Sequence, residues 1–147
     1  MKLNLNHFTM MGIITLFCSC ASTTQFTKFA GTEKLESTSQ ARIYVLRPSY
    51  FGSAVKMKVF CNDKLIGRTG PASFLSWEVK EGEYIIKSSA ENKDHLTVNA
   101  EGGKTYYIKQ IPKIGWVLVR VSLKSMDEDQ GEIILGKLKN PKLGFGK

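Results

Sequence analysis

Few residues of this 147-residue chain have side chains that could carry out metal or nucleophilic chemistry. It contains two histidines, His7 and His95, and three cysteines. A structural zinc site takes four Cys, His or carboxylate ligands, and a serine nucleophile needs a histidine base and an oxyanion hole. No Gly-x-Ser-x-Gly motif accompanies His95, which lies next to Asp94 in a predicted turn. These residues therefore predict neither a metal site nor a catalytic triad.

Two further motifs lack the spacing that their chemistry requires. Residues 102–104 are Gly-Gly-Lys, but the other glycine that a phosphate-binding loop requires is not at the necessary spacing. The acidic cluster at 127–129 lacks the ligand order of a calcium-binding EF-hand, and it is typical of the start of a helix. We therefore expect no catalytic residue, no cofactor and no metal, and we predict that the protein is not an enzyme.

Cys20 is the residue whose surroundings point to a chemical modification. Lys2 supplies a positive charge, residues 8–17 form a mostly apolar run, and small Ser19 precedes the cysteine. This order is typical of a secretory signal peptide, and the run is much shorter than the about 20 residues of a bilayer-spanning helix. The pattern predicts a signal peptide over residues 1–19, with cleavage before Cys20.

With a cysteine at the cleavage site, the pattern resembles the lipobox of bacterial lipoproteins. The resemblance implies a diacylated thioether on Cys20 and a third acyl chain, such as palmitate, on its amine, which together give stable anchoring. Cleavage before Cys18 would place bulky Phe17 at a small-residue position. By analogy, Ala21 and Ser22 favour the outer membrane, at its periplasmic face or surface, over the inner. A cleaved signal or an uncleaved anchor, each without lipid, is the alternative.

The chain is basic, with a formal net charge of +8. Its lysines alternate with acidic residues rather than forming one block, a pattern that indicates a solvated surface more than a nucleic-acid site. Outside the cytoplasm the available anions are phospholipid head groups, lipopolysaccharide phosphates and acidic glycans. We expect attachment to the membrane through the lipid and, as partner, an envelope protein or an anionic glycan or lipid.

The pattern of short apolar runs separated by turn signals predicts the domain organisation. Residues 20–40 are rich in Ser and Thr and are predicted to form a flexible tether. Residues 41–139 read as successive strands, typical of an all-β, single antiparallel β-sandwich. Residues 41–47 alternate, a strand is expected over 116–123, and turns are expected at 62–64 and 92–94. The end of this domain, from the acids at 127–129 to Lys139, predicts a short helix, with a strand over 132–135 as the alternative. Residues 140–147 are expected to form a mobile tail.

Two side chains that could be reactive are assigned to the core. Cys61 shares its strand face with Met57 and Val59, so its thiol is expected to be buried and inert. Trp77 shares a face with Leu75 and is also expected in the core.

A candidate binding surface is formed by a basic residue at the end of a predicted strand, two aromatic residues in the loop that follows, and one at a loop-to-strand junction: Arg47, Tyr50, Phe51 and Trp116. Exposed aromatic rings beside a cation suit a sugar or peptide surface. The alternative is that these rings cap the open end of the sandwich.

Several segments, in this order and spacing, resemble a family of small bacterial lipoproteins catalogued as domain of unknown function 2846. They lie at residues 42–48, 52–54, 59–67, 81–84 and 103–110. The resemblance extends over about residues 41–135, and it implies a lipid-anchored, mainly β domain without a known activity.

We therefore expect an envelope lipoprotein whose domain is a non-catalytic binding or structural module. An inhibitor or accessory subunit of an envelope enzyme or secretion complex is the alternative.

Overall fold

The structure, a computed structural model, describes residues 38–139. The predicted signal peptide, most of the predicted tether and the predicted tail at 140–147 lie outside the described residues. Eight strands and one helix follow in chain order: β1 (Gln40–Arg47), β2 (Met57–Cys61), β3 (Lys64–Thr69), β4 (Ser73–Lys80), β5 (Gly82–Ser89), β6 (Lys93–Ala100), β7 (Thr105–Ile114), β8 (Val119–Met126) and α1 (Glu128–Lys139).

The strands form two four-stranded sheets, with the orders β4-β1-β7-β8 and β3-β2-β5-β6. The predicted mainly β sandwich is confirmed. One pair departs from the antiparallel expectation, since β1 and β7 are parallel and Tyr44 lies opposite Tyr107. The connection between β1 and β7 contains all four strands of the second sheet and also β4, which belongs to the first sheet. The two sheets are therefore built from interleaved parts of the chain.

Side-chain alternation in β1 explains how one sheet is buried on both faces. Ile43 and Val45 point between the sheets, while Tyr44 and Leu46 point to the opposite face. One apolar cluster between the sheets consists of the buried residues Ile43, Val45, Val59, Cys61, Leu75, Ile86, Val98 and Ile108. The near-continuous apolar sequence of β1 thus follows from its central position.

The helix α1 covers the outer face of the first sheet. Leu135 is buried there in one cluster with Tyr44 and Tyr107. The Asp127 carboxylate accepts the backbone N–H of Gln130 at 2.8 Å, which caps the first turn. The prediction of a C-terminal helix, with acids in its first turn and lysines in its last, is confirmed.

Two predicted boundaries were wrong for physical reasons. A strand was expected from Trp116, but β8 begins at Val119, because the preceding apolar residues form the β7–β8 turn. A polar turn was expected at residues 92–94, but β6 begins at Lys93. Asn92 and Asp94 instead use their side chains to bind β8.

The sandwich has two distinct ends. At the loop end lie residues 48–56, 70–72, 90–92 and 115–118, which connect β1–β2, β3–β4, β5–β6 and β7–β8. At the entry end lie Thr38 and the β2–β3, β4–β5 and β6–β7 turns. The Asn62 and Asp63 turn there has positive φ angles of 46° and 63°, as a tight hairpin requires. Within residues 38–139, no helix combines the length and apolarity needed to cross a bilayer.

Candidate functional site: an exposed apolar end of the sandwich

The loop end presents a run of exposed apolar side chains. Around the β7–β8 turn, the exposed fractions are 83% for Ile114, 92% for Trp116, 85% for Val117 and 64% for Leu118. Single exposed apolar residues are ordinary on protein surfaces, but a contiguous group marks an interaction site. We call Ile114–Leu118 with Tyr50 and Phe51 the apolar end.

The Glu91 side chain fixes the backbone of this turn. Its carboxylate accepts the backbone N–H groups of Trp116 at 3.0 Å and Leu118 at 3.0 Å, and that of Val117 at 3.4 Å. The Glu91 N–H donates to the Val119 carbonyl at 3.1 Å. The pKa of Glu91 is lowered, chiefly by the Leu118 N–H, because these bonds stabilise the ionised carboxylate. The turn is therefore held in one conformation while its side chains remain exposed.

The polar residues that follow extend this attachment along β8. The Asn92 side chain accepts the Val121 N–H at 2.7 Å and donates to the Val121 carbonyl at 3.0 Å. The Asp94 carboxylate accepts the Leu123 N–H at 2.7 Å, and this bond is the main reason for its lowered pKa. Side chains from the β5–β6 turn and from β6 thus bind along β8. The sequence did not reveal this role because the partner strand is distant in the chain.

Tyr50 and Phe51 lie in the loop after β1, with exposed fractions of 51% and 50%. The loop packs against the start of β8 at Gly52, where an added Cβ would lie 2.8 Å from a Val119 methyl. Gly52 has a φ of +67°, a conformation that favours glycine. The two rings and the β7–β8 turn are therefore brought to the same end of the sandwich, as the candidate surface required.

Arg47 does not belong to that surface, so this part of the prediction was wrong. It is fully buried, because it lies on the inner face of β1 with Ile43 and Val45. Its guanidinium donates to the carbonyls of Val55 at 2.7 Å and Thr69 at 3.3 Å, and also to those of Phe51 and Gly52. Burial lowers the pKa of Arg47. Arg47 organises the loop end from inside.

A chain of polar side chains lies in the interior beside Arg47. The Thr69 hydroxyl donates to Gln110 Oε1, the Gln110 amide donates to Ser88 Oγ at 2.6 Å, and Ser88 donates to the Lys58 carbonyl at 3.2 Å. Thr69, Ser88 and Gln110 are buried. Because each group has a partner, the network ties β3, β7 and β5 together without offering an open site.

Four cations lie on the outer face of the β7–β8 hairpin, behind the turn. Lys109 lies opposite Lys124, and Lys113 lies opposite Arg120. Ile108 and Gln110 point into the sandwich, so strand alternation puts these cations on the other face. Like charges directly opposite one another are destabilising. We call this group the basic face.

The residues considered for chemistry are placed apart. His95 is exposed on β6 rather than in a turn. Cys61 is buried as predicted, and burial raises its thiol pKa. The Trp77 indole packs against the same core, and its N–H has no hydrogen-bond partner of good geometry among the described residues. Within residues 38–139, no three His, Cys, Asp or Glu side chains converge in a way that could hold a metal ion.

Comparison with known families matches residues 37–122 to a family described as a protein of unknown function, DUF2846. The chain belongs to the DUF2846 family. The sequence resemblance is thereby confirmed. An uncharacterised protein of Haemophilus influenzae is 28% identical over 139 residues, covering 88% of this chain and 80% of the Haemophilus protein.

The DUF2846 match includes both parts of the apolar end and Glu91, and it stops within β8, before α1. The part of the chain that defines the family is therefore the sandwich with its loop end.

Proposed function

We propose that this DUF2846 protein is a lipid-anchored protein of the bacterial cell envelope whose sandwich is a non-catalytic binding module. The acylated residue in this proposal is Cys20. The observation that carries it is the contiguous exposed apolar end, held in one conformation by Glu91.

The shape of the apolar end supports binding. Burying apolar surface away from water is favourable by about 25 cal/mol per Å². A partner that covers the apolar end is therefore stabilised by this burial. Because Glu91 already fixes the turn, little backbone entropy is lost when a partner binds. A non-catalytic module needs a surface of this kind and no converging titratable groups.

The sequence supports the proposed location. A short apolar run ending in Ser19 and Cys20 fits export and acylation, and Ala21 and Ser22 fit sorting to the outer membrane. The domain enters at Thr38, at the end of the sandwich opposite the apolar end. The attachment point and the apolar end are therefore separate, so the anchor leaves the apolar end free to contact a partner.

A second candidate function is that of an inhibitor or accessory subunit of an envelope enzyme or secretion complex. The observation that favours it is the turn itself, a rigid apolar loop between two long strands, which is a shape suited to entering a cleft. Reduced activity of the partner on binding would distinguish this function from simple attachment.

The anchor is tested by intact mass and membrane fractionation of the native protein and two variants. We expect loss of residues 1–19, an added mass for acyl chains, and recovery with the outer membrane. Cys20→Ala is expected to lose the added mass, whereas the matched Cys18→Ala variant is expected to keep it. A protein without acyl chains, free in the periplasm or medium, would overturn the lipoprotein assignment.

The binding module is tested by site-specific photo-crosslinking in intact cells. A crosslinker replacing Trp116 is expected to form an adduct, and one replacing exposed Glu83, near the entry end, is the control. Equal adduct formation at both positions, or none at Trp116, would contradict a binding role for the apolar end.

A further inference from the structure

We propose that the apolar end inserts into the surface of an anionic phospholipid bilayer, with the basic face on the lipid phosphates. The proposal rests on the proposed envelope location, and it specifies what the binding module contacts. Three features of the loop end lead to it.

The first feature is the backbone of the turn. A protein segment that enters the apolar part of a bilayer must satisfy its backbone N–H groups internally, because no water is available there. Glu91 accepts the N–H groups of Trp116, Val117 and Leu118. The Glu91 charge is in turn offset by these three donors and by Arg120. The turn therefore exposes apolar side chains and has already bonded the N–H groups that a protein partner would otherwise use.

The second feature is the distribution of apolar and basic residues. Trp116, Val117 and Leu118 form the tip of the hairpin. The strand pair nearest this tip is followed by the pair of Lys113 and Arg120, which lie opposite one another. Indole rings favour the head-group level of a bilayer, and cations next to an apolar segment interact with its phosphates.

The third feature is the unexplained placement of like charges on the basic face. Lys109 and Lys124 are directly opposed, as are Lys113 and Arg120. None of the four forms a close ion pair with a residue between 38 and 139, although Arg120 interacts at longer range with the Glu91 carboxylate. The hairpin tolerates this repulsion in the isolated domain. An anionic surface removes it, since each cation then gains a phosphate partner.

The chain length allows the anchor and the apolar end to share one membrane. The stretch from Cys20 to Thr38 spans at most about 65 Å when fully extended. The longest strand, β7, has ten residues and is about 33 Å long. A lipid anchor on Cys20 therefore does not prevent the opposite end of the sandwich from turning toward the same leaflet.

The test uses the chain from Ala21 to Lys147, so that no acyl chain contributes to binding. All eight strands, α1 and the apolar clusters lie within it. It is mixed with vesicles of phosphatidylglycerol and phosphatidylethanolamine, or of phosphatidylcholine alone. We expect flotation with the anionic vesicles, and a blue shift of Trp116 emission with quenching by brominated acyl chains.

Two variants identify the source of the signal. The chain has two tryptophans, and Trp77 is packed against the core. Trp77→Phe is expected to retain the blue shift, and Trp116→Phe is expected to abolish it.

Charge variants test the basic face. Replacing Lys113 and Arg120 with Gln is expected to weaken partitioning into the anionic vesicles about fivefold for each cation removed. The matched control replaces Lys64 and Lys80, which are exposed near the entry end, with Gln. This control is expected to bind the vesicles as strongly as the unmodified chain does.

The outcomes separate this inference from the proposed function. Absence of flotation by a folded chain, equal flotation with phosphatidylcholine, or equal losses in both charge variants would overturn membrane insertion. A Trp116 crosslink to protein rather than lipid would also overturn it, and it would leave the binding module intact. Failure of acylation at Cys20 overturns the anchor, while flotation of the unacylated chain is unaffected by that result.

Discussion

The ring of Tyr107 lies directly against Gly131 of α1. A methyl group at Gly131 would lie 2.1 Å from Tyr107 Cγ, well inside contact distance. The Tyr107 ring also stacks on Tyr44 with a centroid distance of 5.2 Å and an interplanar angle of 6°. Burial raises the pKa of Tyr107 to about 12. Gly131 thus allows the helix to approach the sheet closely, which explains a glycine in a helix interior.

Alanine substitutions at the two helix glycines are expected to have opposite effects. Gly131→Ala forces the helix away from Tyr107, so we expect the free energy of unfolding to fall by about 1–3 kcal/mol, as at other overpacked sites. At Gly136 an added Cβ meets nothing within 4 Å, so Gly136→Ala is expected to gain up to about 1 kcal/mol from helix propensity. Urea denaturation checks both, and a gain at Gly131 would contradict the close approach.

Replacing Arg47 is expected to destabilise the fold rather than weaken binding alone. Arg47→Met removes the guanidinium that donates to the carbonyls of Val55 and Thr69, so we expect the free energy of unfolding to fall by about 3 kcal/mol or more. Arg68→Met, on the exposed face of β3, is the control and is expected to stay within about 0.5 kcal/mol. Equal stabilities of the two variants in urea denaturation would contradict this role of Arg47.

Stability is expected to fall in acid because of three carboxylates: Glu91, Asp94 and Asp63, whose pKa is lowered by its hydrogen bond with Lys87. All three have lowered pKa values in the folded state, so the folded protein binds protons more weakly than the unfolded chain. Their contribution is complete above the ordinary values of 4.5 and 3.8 and is lost as the pH falls through the lowered folded-state values. Thermal melts between pH 7 and pH 2 measure this dependence. Asp94→Asn is expected to flatten it, and an unchanged slope would count against the β6–β8 attachment.

The apolar end is expected to be dispensable for folding. Trp116 is 92% exposed, so Trp116→Ala should change the free energy of unfolding by less than about 0.5 kcal/mol. Trp77 packs against the core, so Trp77→Ala is expected to lose about 3–5 kcal/mol. Chemical denaturation of both variants checks the contrast. A large loss for Trp116→Ala would show that the ring supports the fold.

The Cys61 thiol is expected to react slowly in the folded protein. It is only 8% exposed, and burial raises its pKa, so little thiolate is present near neutral pH. Reaction with a chromogenic disulfide reagent should be slow in buffer and fast in urea. Rapid reaction of the folded chain would require an opening of the core near β2.

Local patterns in the sequence determined the elements of this protein. Alternation in β1 predicted a strand, the Asn62–Asp63 turn predicted a hairpin, and the charges around residues 127–139 predicted the helix. These signals are readable because each depends on neighbours within a few residues. The same reasoning placed Cys61 in the core and predicted the family.

Contacts between distant residues were decided by the tertiary structure alone. Arg47 occupies an inner-face position of β1, and the carbonyls that bind its buried guanidinium include one as far away in the chain as Thr69. Glu91 supports a turn that lies more than twenty residues later. Trp116 has the apolar character of a strand residue, and only the pairing of β7 with β8 places it on an exposed turn. Sequence records which residues are apolar or charged, whereas exposure depends on which segments meet.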